Sequence, residues 1–188
     1  MSADRPLRLA VLASGSGTIL EAILAAGLPV VAVLSDRRCR ALEVAGTADV
    51  PVHLVERDRF DAGFDRLAYT QRLVEALAEV DADVVAMAGF MTVLGRPMFS
   101  AFPDRVLNTH PSLLPAFPGA HAVRDALAYG VRLTGCTVHV ATEQVDHGPI
   151  LAQEAVPVLP GDTEAVLHER IKDVERRLYP QAIKELLA

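Results

Sequence analysis

Apolar residues fall in two kinds of run along this chain. Leu7–Ala13, Val30–Ser35, Asp83–Ala88 and Arg105–Asn108 are rich in Val, Leu or Ala at successive rather than alternate positions. A strand covered on both faces reads this way, so the pattern predicts a parallel sheet between helices. Pro51–Val55 is a weaker fifth segment. Helical spacing lies between these runs, over Thr18–Ala26 and over Asp65–Val80, where Leu67, Leu73, Val74, Leu77 and Val80 recur near one face. Strand alternating with helix implies right-handed βαβ crossovers.

The last third changes character. Leu133–Ala141 and Ile150–Val158 alternate or are β-branched, and polar Thr142–Pro149 joins them, which predicts two antiparallel strands and a loop. A helix follows from about Thr163 to Leu187, capped at Asp162-Thr163-Glu164, with Val166, Leu167, Ile171, Val174 and Leu178 on one face. Pro180 is expected to kink or restart it. With no repeat, linker or low-complexity tract, one domain over 1–188 is expected. The fold class is α/β: a Rossmann-like, mostly parallel sheet flanked by helices, a late antiparallel pair and a long C-terminal helix.

Composition narrows the function classes. An apolar fraction of 51% in 188 residues suffices for a core and excludes a disordered chain. The net charge of −6 argues against a nucleic-acid protein. The longest apolar run, Ala22–Leu34, is broken by Gly27 and Pro29 and is too short to span a membrane, and the polar leader Met1–Pro6 lacks a signal-peptide pattern. Cys39 and Cys136 form no C-x-x-C motif and read as buried reduced thiols. A cytoplasmic protein acting on small molecules is expected.

Three loops could carry chemistry. Ser14-Gly15-Ser16-Gly17-Thr18 links the first strand to the first helix, where backbone N–H groups and the helix dipole suit a phosphate. Leu20 stands where a dinucleotide fingerprint needs glycine, and no Gly-Lys-Ser/Thr follows. Asp36 sits where a ribose-binding acid would, roughly 20 residues on, yet also fits a turn. Phosphate site, dinucleotide site and plain turn all stay open on these residues alone. Second, Asn108-Thr109-His110-Pro111-Ser112-Leu113-Leu114-Pro115 ends a predicted strand. Asn108 and His110, two apart, project together toward the edge where open α/β sheets bind ligands. An amide and an imidazole there can donate to a developing oxyanion, and the ring can move a proton. Third, Thr142–Pro149 carries Asp146, which gains a role only if its loop folds over His110. His110, His121, Asp146 and His147 lack metal-site spacing, so no metal is expected. A Ser112–His110–Asp146 triad lacks the G-x-S-x-G setting. His53, His139 and His168 receive no role, and Met87–Met91 reads as core at a strand end.

On Ser14–Thr18, Ala88-Gly89-Phe90-Met91, Asn108–Pro115, Pro118-Gly119 and Val145-Asp146-His147-Gly148-Pro149-Ile150, in that order and spacing, the chain resembles the folate-dependent formyltransferases. The likeness covers almost the whole chain. It is strongest to the branch that formylates glycinamide ribonucleotide in purine biosynthesis. The resemblance implies 10-formyltetrahydrofolate as co-substrate, with no metal, nucleic acid or membrane partner, and it allows a homodimer. It places Asn108, His110 and Asp146 on catalytic positions, and Gly17, Thr18 and Ile19 on the phosphate loop. Glu175 falls on an acid that contacts the glycinamide substrate. Met91, Thr92, Val93 and Leu94 fall along the folate together with Asn108, and Arg66 falls on a folate-side arginine. Ile19 departs from the Asn of many relatives, so backbone N–H groups must hold the phosphate there. His147 replaces a residue that is often small. The chain ends at Ala188, where many relatives continue.

The chemistry implied is attack of a neutral amine on the formyl carbon. Asn108 and protonated His110 donate to the oxygen as it gains charge, and Asp146 assists proton transfer. The alternative is a 10-formyltetrahydrofolate deformylase, with water in place of the amine. Those enzymes usually carry an N-terminal regulatory domain, for which the residues before the first strand leave no room.

Overall fold

Successive apolar residues make Leu9–Leu12 (β1) a strand buried at every position. The computed structural model describes residues 5–187. Met1–Asp4 of the polar leader, and Ala188, where the chain ends, lie outside them. Seven strands form one sheet in the order β3-β2-β1-β4-β5-β6-β7, and the chain parses into two compact units that meet in sequence at Val106–Leu107.

In the first unit, β1 pairs in parallel with Val30–Ser35 (β2) and with Val84–Met87 (β4), and β2 pairs in parallel with Val52–Leu54 (β3). All four strands fall inside the segments read as buried or weak strands. The weak one, β3, is a three-residue edge with Val52 and Leu54 exposed, a short edge that gives other chains little to pair with. Thr18–Ala25 (α1) buries Ile19, Leu20 and Ile23. Arg66–Glu79 (α3) starts at Asp65, whose carboxylate caps it by accepting from the Ala68 N–H at 3.0 Å. Leu73 and Leu77 are buried as the spacing predicts, but Leu67 is exposed and Tyr69 and Thr70 occupy the core side instead. Two helices were not foreseen. Arg40–Thr47 (α2) starts without a side-chain cap, and Arg96–Ala101 (α4) is only six residues long.

In the second unit, Val106–His110 (β5) pairs antiparallel with Leu133–Val140 (β6), and β6 pairs antiparallel with Ile150–Pro157 (β7). The late antiparallel pair is therefore present, and β5 joins it from the other side. Ala122–Tyr129 (α5), also unforeseen, and Glu164–Leu187 (α6) supply Val123, Leu167 and Ile171 to a cluster with Cys136 and Val156. Val174 and Leu178 pack against that cluster, whereas Val166 is exposed. Helix α6 continues through Pro180 rather than restarting there. Its buried Tyr179 donates a hydroxyl hydrogen bond of 2.9 Å to the Leu107 carbonyl. Cys136 is buried and Cys39 only partly so, and both are free thiols.

Candidate active site

Strand alternation puts Asn108 and His110 on one face of β5 and Thr109 on the other. The register sets Asn108 opposite His139 and His110 opposite Thr137. The buried His110 ring has Nε2 2.9 Å from the Phe117 carbonyl oxygen. A carbonyl only accepts, so Nε2 carries a hydrogen and donates it. Nδ1 lies 3.4 Å from Asp146 Oδ2. Both ring nitrogens thus face oxygen acceptors, and the imidazolium form has a donor for each. Phe117 holds its carbonyl there from a left-handed φ of 52°, a conformation that a non-glycine keeps only where its surroundings determine it.

Asp146 reaches this ring because the loop between β6 and β7 folds back. At Gly148 any Cβ would collide with the Val140 carbonyl oxygen. Asp146 itself adopts φ 59°, which a short polar side chain tolerates. Its side chain is 6% exposed. Oδ2 also accepts the Gly119 N–H at 2.7 Å, and Oδ1 lies 3.7 Å from His139 Nε2. Asp146 is therefore a held group and not a solvated loop acid. His147, beside it, is exposed and donates from Nδ1 to the Val145 carbonyl at 2.6 Å.

His139, given no role in the sequence, belongs to this cluster. Its Nδ1 lies 3.1 Å from the Val140 carbonyl and so donates, leaving Nε2 as an acceptor 3.3 Å from Asn108 Nδ2. Burial lowers its pKa below the ordinary histidine value. The Val140 carbonyl and Asp146 oppose that shift and His110 adds to it. A neutral ring is the form that can accept from an amide. One Asn108 N–H is engaged in this way, which fixes the direction of the other. The signal was present as an alternating strand, but using it required the β5–β6 register.

The segment after His110 is clamped by more than its prolines. Thr137 donates to the Ser112 carbonyl at 2.7 Å and accepts from the Leu114 N–H at 3.0 Å. Gln153 adds bonds of 2.8 Å to the Leu114 carbonyl and 2.9 Å to the Thr137 hydroxyl. Ser112 spends its hydroxyl on the Ala116 carbonyl, which is not the orientation of a nucleophile paired with His110. Glu175, on α6, meets Thr109 and so approaches β5 from the face away from Asn108 and His110. Burial pushes its carboxyl up to about 7, against the Thr109 hydrogen bond and the charges of Lys172 and Arg176.

In the first unit, Ser14–Thr18 runs from β1 into α1. The Gly15 carbonyl accepts from the Ala41 N–H at 3.1 Å, and the Ser16 carbonyl accepts from Arg40 at 2.5 Å. In a planar trans peptide the N–H points opposite its carbonyl, so the Ser16 and Gly17 N–H groups are turned away from α2. No side chain caps α1, whose first N–H groups lack intrahelical partners. The loop is a nest of donors suited to an anion. Gly17 is required twice over. Its φ is +76°, and a Cβ would sit 2.9 Å from Ala41 Cα. The Ile19 side chain is buried, so only its backbone N–H can serve a ligand.

The stretch 91–94 alternates. Met91 and Val93 are 65% and 44% exposed, whereas Thr92 and Leu94 are 1% and 3% exposed. Only the first two side chains can line a ligand. Arg66 opens α3, exposed and without an ion-pair partner among the described residues. Among the described residues, no group of three or more His, Cys, Asp or Glu could hold a metal, and no helix is long and apolar enough to cross a membrane.

The formyl transferase family model matches residues 7–183. A phosphoribosylglycinamide formyltransferase of Mycobacterium tuberculosis is 52% identical over 186 residues, covering 96% of this chain and 85% of that protein. One of Bacillus subtilis is 34% identical over 187 residues, covering 96% and 94%. The solved glycinamide ribonucleotide transformylase 1 from Symbiobacterium toebii superimposes with a TM-score of 0.92 at 44% identity, over 100% of this chain and 93% of that one. With a match running from the first strand into the final helix, the chain belongs to the formyl transferase family.

Proposed function

We propose that the chain transfers the formyl group of 10-formyltetrahydrofolate to the amine of glycinamide ribonucleotide, as one cytoplasmic formyltransferase domain in purine biosynthesis. The relatives are named phosphoribosylglycinamide formyltransferases, which supports the acceptor and the group transferred. The observation that supports the chemistry most directly is the meeting of Asn108, His110 and Asp146, drawn from a strand and a distant loop. An amide N–H, an imidazole and a carboxylate suit acyl transfer between two small molecules, a reaction that needs donors and a proton relay.

In this reading the amine adds to the formyl carbon and negative charge gathers on the formyl oxygen. Asn108 donates its second N–H to that oxygen, aimed by the bond of the first to His139. His110 becomes the second donor by turning one ring N–H from its protein acceptor, the Phe117 carbonyl or Asp146, to that oxygen. Losing one donor of this kind typically costs about 10²–10³ in rate. Asp146, with His110, takes up the proton that the amine sheds and returns one to the folate nitrogen. Gly17, Thr18 and Ile19 hold the ribonucleotide phosphate through backbone N–H groups. Glu175 lies on the Thr109 face of β5, opposite Asn108 and His110, and takes no part at the formyl carbon. Arg66 and the exposed Met91 and Val93 take the folate side, with Thr92 and Leu94 holding that stretch from within.

The test is to incubate the protein with 10-formyltetrahydrofolate, with and without glycinamide ribonucleotide, and follow tetrahydrofolate release. Release should require the ribonucleotide. Release at the same rate without it would identify a deformylase and overturn the proposal.

A further inference from the structure

Asp36 follows β2 and matches no role assigned above. Its side chain is fully buried, an expensive place for a charge unless donors surround it. They do. Arg37 donates from Nε to Oδ1 and from a terminal nitrogen to Oδ2, each at 3.0 Å. Thr92 donates its hydroxyl to Oδ2 at 2.6 Å, a bond that is itself buried. The Ser14 side chain adds a further favourable interaction with the carboxylate. The carboxylate therefore cannot meet a ligand, and its partners are what give it consequence.

Those partners sit in two loops already in view. Ser14 opens the anion-binding turn. Its hydroxyl oxygen accepts the Met91 N–H at 3.0 Å, and its own N–H reaches the Gly89 carbonyl at 3.3 Å. Thr92 is the inward residue between the exposed Met91 and Val93. One buried carboxylate thus holds Thr92 directly, and holds the Met91 amide through Ser14. Packing alone would not need this arrangement, because replacing a buried ionic group by apolar residues is often neutral or stabilising. A charged acceptor does something packing does not. It fixes which way the two hydroxyls point, and with them the backbone that presents Met91 and Val93.

We propose that Asp36 is a positioning residue for the formyl-donor side of the site, acting through Thr92 and Ser14 to set the 89–94 segment. The proposal rests on the reading that this segment lies along the folate. Thr92→Val keeps the shape and removes the hydroxyl, and Thr92→Ser restores it. Asp36→Asn keeps the size but turns an amide NH₂ toward at least one of the surrounding donors. Two measurements separate the possibilities: calorimetric titration of each protein with 10-formyltetrahydrofolate and with glycinamide ribonucleotide, and amide hydrogen exchange across 89–94 in the free proteins.

Thr92→Val should weaken formyl-donor binding about tenfold, the usual effect of a lost hydrogen bond to a charged group. Ribonucleotide binding should stay within about twofold, and exchange at 89–94 should accelerate. Thr92→Ser should recover most of the donor affinity, and Asp36→Asn should shift both readouts in the direction of Thr92→Val. A folded Thr92→Val or Asp36→Asn protein with unchanged donor affinity, or with both ligands weakened equally, overturns the proposal. If Thr92→Val does not fold, Asp36→Asn carries the same comparison. A wild-type protein that does not bind the formyl donor refutes the underlying reading instead. In that case the exchange data alone decide whether Asp36 sets the segment.

Discussion

Glu175→Gln removes an ionisation from α6 while leaving the side chain's shape. In the folded protein burial holds the Glu175 carboxyl at about 7, against an ordinary value of 4.5. At about 1.4 kcal/mol per pH unit, that interval amounts to about 3 kcal/mol. Below pH 4.5 the folded and unfolded chains both carry the proton, and the group favours neither. Between 4.5 and 7 the unfolded chain releases its proton and the folded one keeps it, so rising pH favours unfolding. Above 7 the destabilisation is complete. Gln has no such dependence, and its amide oxygen can still accept from Thr109. Urea unfolding of both proteins from pH 4.5 to 8.5 should therefore show a gap that opens from near zero to about 3 kcal/mol in favour of the variant. A gap that stays constant across this range would refute the reasoning, since it would place the effect in packing rather than in ionisation. If Glu175 meets the glycinamide substrate, the more stable variant should also show a higher ribonucleotide KM.

Three further outcomes follow from the geometry. His110→Ala and Asp146→Asn should each lower kcat by about 10²–10³, with melting temperatures close to wild type. Near-normal turnover in either would show the role to be misassigned. Gly17→Ala forces a Cβ into Ala41 at a left-handed φ, and should destabilise the fold by about 1–3 kcal/mol and raise the ribonucleotide KM more than that for the formyl donor. Thermal melts and initial rates at varied substrate check it. Burial pushes the Cys136 thiol up to about 12, so it should resist a thiol reagent at pH 8 in the native protein and react once the protein is unfolded in urea.

The strands were more legible than the helices, for a physical reason. Strands buried on both faces announce themselves by apolar runs, and β1, β2 and β4 each lie within a segment so marked. The helices that were missed lack local signals. Cys39 before α2 and His121 before α5 make no capping hydrogen bond, and α4 offers only Pro97 in its first turn. Leu67 and Val166 fitted a helical stripe yet face solvent, because periodicity gives a face and not how far the covering layer extends. In the site, Asn108 and His110 were readable as neighbours from strand alternation alone. Their link to Asp146 depends on a loop return, and His139 depends on register, neither of which is local in sequence.

Two carboxylates outside the Asn108–His110–Asp146 cluster show how partner number decides what an acid is for. Asp36 and Glu175 both leave water, and burial alone would raise both. Around Asp36, hydrogen bonds from Arg37 and Thr92, with the Ser14 side chain, outweigh burial, and its pKa falls below the ordinary value. Around Glu175, one hydroxyl and two basic neighbours do not, and the pKa rises. An acid with its full set of donors is a fixed point of the scaffold, charged at any physiological pH and indifferent to ligands. An acid short of donors is poised, because a cationic or hydrogen-bonding ligand supplies what the protein withholds and gains affinity by doing so. The same residue type is thus fully supplied with donors in one unit and short of them in the other. Local donor count makes the difference, which is why the −6 net charge of the chain says so little about the anionic substrates proposed for it.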